Sequence, residues 1–426
     1  MVLRAKLKQW VAEAVTSPTL RSARWGRAAA LRRIRGSRPQ VLYFHQIDDP
    51  YSHLAAQLLP ALTERYDVDF VPHLVPAPAP GAAPEAARLA AYARKDAALL
   101  ASVHGLTFDG ARTSDADAVR SIAGHLAGTQ TVQAFARQAV ELGNALWSGE
   151  PVPPAALDGQ AALARGAALR ARLGHYLGAT FYFEGEWYWG LDRLPYLESR
   201  LAPFRNQGAG PLVKALEASE AKGAREGGVI DFFLSFRSPY TYLAADRVQK
   251  LAARHGATVR LRFVLPMVMR GLPVPRAKQI YILRDAKREA GRLAMPFGRV
   301  VDPVGRGVER GLAVLHHAIA AGRGAEFAES FLRGAFAEGV DATTDAGLSK
   351  MTARAGLSAP QVEAALADSS WRSVAEANRV ELFDLGLWGV PSFRVQAREA
   401  HWGQDRLWAV ERDLATTFHT TNSPAA

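Results

Sequence analysis

One short string opens each half of the chain: Asp49-Pro50-Tyr51-Ser52-His53-Leu54-Ala55-Ala56, then Ser238-Pro239-Tyr240-Thr241-Tyr242-Leu243-Ala244-Ala245, 189 positions later. A second pair closes each half, Trp189-Gly190-Leu191-Asp192-Arg193-Leu194 and Trp402-Gly403-Gln404-Asp405-Arg406-Leu407, 213 positions apart. A repeat this long is a domain used twice, since solenoid units span only about 20–50 residues. The chain must then fold as two similar domains, and the positions where they disagree form an internal comparison. With 426 residues and 49% hydrophobic content, each copy is long enough for its own core.

The net charge of +11 suggests a nucleic-acid partner until it is located. Residues 1–38 hold ten Lys and Arg against one acid, Glu13, and so carry nine of the eleven charges. The remaining 388 residues are almost neutral, which argues against a basic nucleic-acid face. The basic head starts as an amphipathic helix with Leu3, Leu7, Trp10, Val11, Ala14 and Val15 on one stripe. Two readings stand for it: a weak contact with an anionic membrane or acidic partner, or a frayed or docked arm. No unbroken apolar run follows the basic residues, as a secretory signal requires, and nothing reaches the length of a membrane span. The expected location is cytoplasmic.

Cysteine is absent. That removes disulfides, thiolate metal sites and any thiol nucleophile of the protein's own, so sulfur chemistry here needs a bound small molecule. The adjacent His316-His317 pair does not share a helix face and reads as packing or surface, not as a metal site.

The order of elements is the same in both halves. A β-rich run (Val41–Ile47; Val229–Leu234) leads into a helix announced by Asp-Pro or Ser-Pro. A second strand follows, with alternation over Thr258–Phe263, then a long alanine-rich helical region. Each half closes with strand, turn, strand and a last helix: Thr180–Glu184 and Glu186–Trp189, Ser392–Gln396 and Ala400–Trp402. The predicted fold class is α/β, with two thioredoxin-like domains that each carry an inserted all-helical subdomain. The expected organisation is a basic arm at 1–38, domain A at 39–205, a linker at 206–227, domain B at 228–415 and a tail at 416–426.

Four features of domain B could carry chemistry. Ser238 is the predicted N-cap of a helix with Pro239 at its first position, where unpaired N–H groups and the helix dipole stabilise an anion and lower the pKa of a thiol. The same Ser-Pro also serves as an ordinary helix cap. Pro391, in Gly389-Val390-Pro391-Ser392, starts a strand in trans or, if cis, presents the groups of Val390 to a ligand. Asp405, beside Gln404, either caps the last helix or holds an ammonium group. Lys278, Tyr281, Asp285 and Arg288 fall on one helix face, as a binding row for an acid or as a solvated stripe. In copy A, Ser238 becomes Asp49, Pro391 becomes Thr180, and Lys278 and Arg288 become Leu89 and Leu99, while Tyr92 and Asp96 keep the tyrosine and aspartate. Copy A thus keeps what the fold needs and lacks what an anionic ligand needs.

At these residues domain B resembles the 2-hydroxychromene-2-carboxylate isomerases, kin to kappa-class glutathione transferases in the DsbA-like thioredoxin superfamily. The resemblance rests on Asp231-Phe232-Phe233, Phe236-Arg237-Ser238-Pro239-Tyr240, the Lys278, Tyr281, Asp285 and Arg288 row, Gly389-Val390-Pro391 and Trp402-Gly403-Gln404-Asp405-Arg406. Domain A resembles a decayed copy. The resemblance implies glutathione as cofactor. Ser238 would hydrogen-bond its thiolate, Val390 beside a cis Pro391 would pair with the tripeptide, and Gln404 with Asp405 would hold its γ-glutamyl end. Lys278, Tyr281 and Arg288 would face a small aromatic acid substrate. One departure is Ser235, where the family often has an acid three positions before the serine. The implied function is a glutathione-dependent isomerase of an unsaturated aromatic keto-acid. A kappa-like transferase or peroxidase, and a non-catalytic tandem binding or scaffold protein, are the alternatives. A disulfide oxidoreductase is excluded by the lack of cysteine. Domain A would be structural, covering domain B or supporting a homodimer.

Overall fold

The structure is a computed structural model and describes residues 2–110, 112–219 and 227–416, without the side chains of 2–8 and 416. Residues 220–226 of the expected linker, and all but the first residue of the expected tail, lie outside the described residues. The chain divides into two compact units. The N-terminal unit holds residues 19–215 with 275–281; the C-terminal unit holds the described residues of 1–18, 216–274 and 282–426.

Helix α1 (Val2–Thr16) therefore groups with the C-terminal unit, and α2 (Pro18–Ile34) with the N-terminal one. The expected apolar stripe is not the docked face of α1. Trp10 and Val11 are exposed, whereas Ala12 joins the C-terminal core and Thr16 is buried with its hydroxyl donating to the Ala12 carbonyl at 2.8 Å. Small residues permit that close approach where Trp10 could not. Among the described residues no helix is long and apolar enough to cross a membrane.

The N-terminal unit continues with β1 (Gln40–His45), α3 (Pro50–Arg65), β2 (Asp69–Leu74), α4 (Ala86–His104), α5 (Ala116–Ala127), α6 (Val132–Ser148) and α7 (Gln160–Leu173). It closes with β3 (Thr180–Phe183), β4 (Glu186–Trp189) and α8 (Leu194–Leu201). Its sheet runs β2-β1-β3-β4, with β1 parallel to β2 and antiparallel to β3. Inside the C-terminal unit come β5 (Val229–Leu234), α9 (Pro239–Arg254), β6 (Thr258–Phe263), α10 (Arg276–Arg292), α11 (Arg306–Ala320), α12 (Gly324–Arg333), α13 (Asp345–Arg354), α14 (Ala359–Ala367) and α15 (Trp371–Asp384). Then follow β7 (Ser392–Val395), β8 (Ala400–Trp402) and α16 (Leu407–Thr416), and the sheet runs β6-β5-β7-β8 in the same sense.

The central strand of each sheet is apolar on both faces because helices cover both, so β5 reads as an almost unbroken hydrophobic run. Its exception, Asp231, is buried and accepts from Arg260 and Arg262 on neighbouring β6, the latter at 3.0 Å. That pairing is what lets a carboxylate sit in a central strand. Both crossover helices start with proline after a side-chain cap, Asp49 for α3 and Ser238 for α9. Proline at this position forfeits no helical hydrogen bond.

Strand register corrects one sequence correspondence. Phe44 pairs with Thr180 and Phe233 with Ser392, so Thr180 is the counterpart of Ser392 and not of Pro391. Pro391 answers to Ala179, and a second contact agrees: the Gly190 N–H donates to the Ala179 carbonyl at 2.8 Å, as the Gly403 N–H does to that of Pro391 at 2.9 Å. The closing loop of the C-terminal unit is one residue longer, which hides this shift from an ungapped comparison.

Candidate active site

Ser238 is half-buried at the start of α9, with an extended backbone that turns its side chain back over the first turn. Its Oγ accepts the Thr241 N–H at 3.2 Å and donates to the Val390 carbonyl at 3.1 Å. One hydroxyl thus links the helix N-terminus to the loop that precedes β7. The Val390–Pro391 peptide is cis. Gly389 lies so close to the Trp402 indole that a Cβ there would approach Nε1 to 2.7 Å, and the Pro391 carbonyl accepts the Gly403 N–H. Gly389-Val390-Pro391 and Trp402-Gly403 are therefore one packed corner, which explains why both motifs occur together. Ser238, Val390 and Pro391 are brought together as the sequence reading requires.

Beside Ser238, Arg237 holds Asp302 through two bonds of 2.8 and 2.9 Å. Ser235, three residues before Ser238, is buried, and its hydroxyl has no hydrogen-bond partner among the described residues.

The expected row on α10 is divided. Lys278 and Tyr281 cluster with the N-terminal unit, where the Lys278 Nζ donates to the Ala82 carbonyl at 3.0 Å. Burial pulls that ammonium below its ordinary pKa. The Tyr281 ring packs edge-on against His175 at 4.6 Å within a cluster of Phe44, Val75 and Trp187. In the C-terminal unit, Asp285 accepts from the Tyr240 hydroxyl and from Arg288, each at 2.8 Å. Arg288 and Asp285 are both buried. The expectation that Lys278, Tyr281 and Arg288 form one substrate-facing row is corrected on this ground. Two of them are packed in the other unit and the third is committed to Asp285. Helical spacing reported a shared face correctly but could not report what covers it.

Gln404 and Asp405 sit in a second group. The buried Gln404 amide donates to Glu289 Oε2 at 3.1 Å and also to Asp405, while its carbonyl oxygen Oε1 accepts Arg247 at 2.6 Å. Arg292 adds a bond of 3.2 Å to the same Glu289 oxygen and reaches Glu217. Asp405 remains half-exposed. Burial, with Arg292 close by, lowers the Arg247 pKa. Sequence reasoning missed Arg247 and Glu289, although a signal existed: at offset 189 they face Leu58 and Leu100 in the other copy.

A family model, the DSBA-like thioredoxin domain, matches residues 229–415. The C-terminal half of the chain is a DsbA-like thioredoxin domain. Among solved structures, that of a 2-hydroxychromene-2-carboxylate isomerase is similar at 20% identity, over 46% of this chain and 100% of that one, with a TM-score of 0.40. A probable DsbA oxidoreductase from Streptomyces coelicolor is similar at 22% identity over 47% and 93% of the two chains, TM-score 0.36. The cytosolic disulfide reductase DsbM from Pseudomonas aeruginosa, solved with GSH, is similar at 20% identity over 45% and 98%, TM-score 0.34. No curated protein matches the chain. In the DsbA-like domain described here, the helix start that follows the first strand bears Ser238.

Proposed function

We propose that the DsbA-like domain is a glutathione-dependent isomerase of an unsaturated aromatic keto-acid, with one site per chain at Ser238. The observation that carries this reading is the Ser238 hydroxyl itself. It stands at a helix N-terminus, 3.1 Å from the carbonyl before Pro391, in a chain without cysteine. A thiol brought there meets a hydroxyl donor and the positive end of α9, and both favour the thiolate. Because the chain supplies no thiol, the nucleophile comes from the small molecule, and glutathione fits a compartment that keeps thiols reduced. A cytoplasmic location belongs to the same reading.

The thiolate adds to the β-carbon of the conjugated double bond, forming a carbon–sulfur bond, and the π electrons pass to the keto oxygen as an enolate. Rotation takes place about the resulting single bond. Collapse of the enolate restores the double bond in the other geometry and releases the thiolate. No electrons are gained or lost overall. The protein's part is to hold the thiol ionised and to place the electrophile.

The test is glutathione binding, together with the ultraviolet absorbance of its thiolate, in wild type and Ser238→Ala. Wild type is expected to bind and ionise glutathione near neutral pH. Losing a hydrogen bond to a charged group should weaken the ionised complex roughly 10- to 100-fold. Wild type that neither binds nor ionises glutathione would sink the enzyme reading and leave the scaffold alternative. Turnover of electrophiles such as aryl halides, without isomerisation, would favour a kappa-like transferase.

A further inference from the structure

The polar group around Gln404 is not what this fold needs for stability, and the other half of the molecule makes the point. Arg247, Glu289 and Gln404 occupy the positions held in the N-terminal unit by Leu58, Leu100 and Leu191. All three leucines are buried. The correspondence is anchored on both sides of each position: the α3 and α9 helices have equal length, and Tyr51–Asp96 repeats the Tyr240–Asp285 bond. The two short 3-10 helices, Leu191–Arg193 and Gln404–Arg406, also match residue for residue. A buried network of charges is often no more stable than apolar residues of similar volume, so three simultaneous changes from leucine call for another purpose.

The network has a direction. Arg247 holds the Gln404 side-chain oxygen, Glu289 takes its amide, and that amide also donates to Asp405. Gln404 is 1% exposed and Glu289 1%, so neither is free to turn toward solvent, while Asp405 is half-exposed. The buried members therefore fix the one carboxylate that a ligand can reach. The N-terminal unit keeps the aspartate as Asp192 but surrounds its position with leucine. An aspartate is thus present in both copies, and its buried polar support in only one.

We infer that Arg247, Glu289 and Gln404 are positioning residues that fix Asp405 as the receptor for a ligand's ammonium group, and so select a thiol that bears a free α-amino acid end over a simple thiol. The inference rests on the reading of Ser238 given above. The chemistry follows from the charges. A half-exposed carboxylate held in place binds an ammonium group more strongly than a mobile one, because ordering has been done in advance.

The experiment compares two probes, glutathione and N-acetylcysteine, which has a thiol and a carboxylate but no free amine. Wild type is set against the triple variant Arg247→Leu, Glu289→Leu and Gln404→Leu, which copies the other half of the molecule. The triple variant is expected to keep its circular dichroism spectrum and its affinity for N-acetylcysteine. Its preference for glutathione should fall roughly 10- to 100-fold, the loss of a hydrogen bond between charged groups. An unchanged preference overturns the inference. If the triple variant does not fold, Gln404→Met is measured in the same way, and the same outcomes decide. Wild type that ionises both thiols without preferring glutathione also overturns this inference while leaving Ser238 its role. Wild type that binds neither thiol refutes the Ser238 reading itself.

Discussion

At the start of α3 the Asp49 carboxylate is enclosed and accepts from the backbone of Tyr51 and Ser52, each at 3.2 Å, and from the Ser52 hydroxyl at 2.9 Å. At the start of α9 the half-buried Ser238 accepts one backbone N–H and offers its proton to Val390. The neighbouring loops differ to match. Ala179 donates its N–H to Ser52 Oγ at 2.8 Å, where cis Pro391 has no N–H to give. Gly178 leaves room for the Asp49 carboxylate, within 3.1 Å of where a Cβ would stand, at the position Val390 fills. One copy satisfies its helix N-terminus with its own anion, and the other keeps a neutral group there. The comparison teaches that a fold can be retained while its anion site is closed from within.

Moving the carboxylate across tests this most directly. Ser238→Asp should cap α9 as Asp49 caps α3, so the protein stays folded. A fixed carboxylate about 4 Å from a thiolate opposes it by about 4 kcal/mol at an effective dielectric of 20, close to a thousandfold in the ionised complex. Glutathione binding and thiolate absorbance should both vanish while the melting temperature holds. Retention of thiolate absorbance in Ser238→Asp would break the comparison.

The next effect concerns the closed copy. Burial pushes the Asp49 carboxyl from 3.8 to about 7, outweighing the Ser52 and Tyr51 hydrogen bonds that favour its charged form. A group with a raised folded-state pKa contributes stability that is full below its unfolded pKa and is lost as pH climbs through the folded value. The N-terminal unit should therefore lose stability between about pH 4 and pH 7 and level off above. Roughly three pKa units correspond to about 4 kcal/mol as an upper bound. Asp49→Asn should flatten that slope, so denaturant midpoints measured at pH 5 and pH 8 differ in wild type and converge in the variant. Parallel curves for the two proteins would show that Asp49 is charged in the fold.

Much of this was legible before any coordinates. Alternation located β6, unbroken hydrophobic runs located β1 and β5, and Ser-Pro and Asp-Pro located the starts of α9 and α3. The proximity of Ser238 to Pro391 came from family resemblance, since no spacing rule brings residues 153 positions apart into contact. What stayed hidden was partnership. A helical wheel places Lys278 and Arg288 on one face, yet one meets the Ala82 carbonyl and the other Asp285. The one-residue difference in the closing loops displaced the counterpart of Pro391, because strand register is set by pairing and not by residue count. Arg247 and Glu289 were readable as polar-for-leucine exchanges, but nothing in the chain order joins them to Gln404.

The smallest predicted effect concerns what the copies share. Tyr51 donates to Asp96 Oδ2 and Tyr240 to Asp285 Oδ2, both at 2.8 Å. A bond repeated in the copy with the closed anion site is part of the fold, tying the crossover helix to the first helix of the insertion. Tyr240→Phe leaves a buried carboxylate with one donor fewer, and should cost about 1–3 kcal/mol of stability. Tyr51→Phe should cost a similar amount, seen as a shift of the denaturant midpoint. Neither should alter glutathione ionisation by more than about twofold, since neither removes a donor at Ser238. If Tyr240→Phe instead abolishes thiolate formation at unchanged stability, the tyrosine belongs to the site. The comparison would then have mistaken a shared residue for a structural one, and Tyr51 would mark a remnant of the same chemistry in the N-terminal unit.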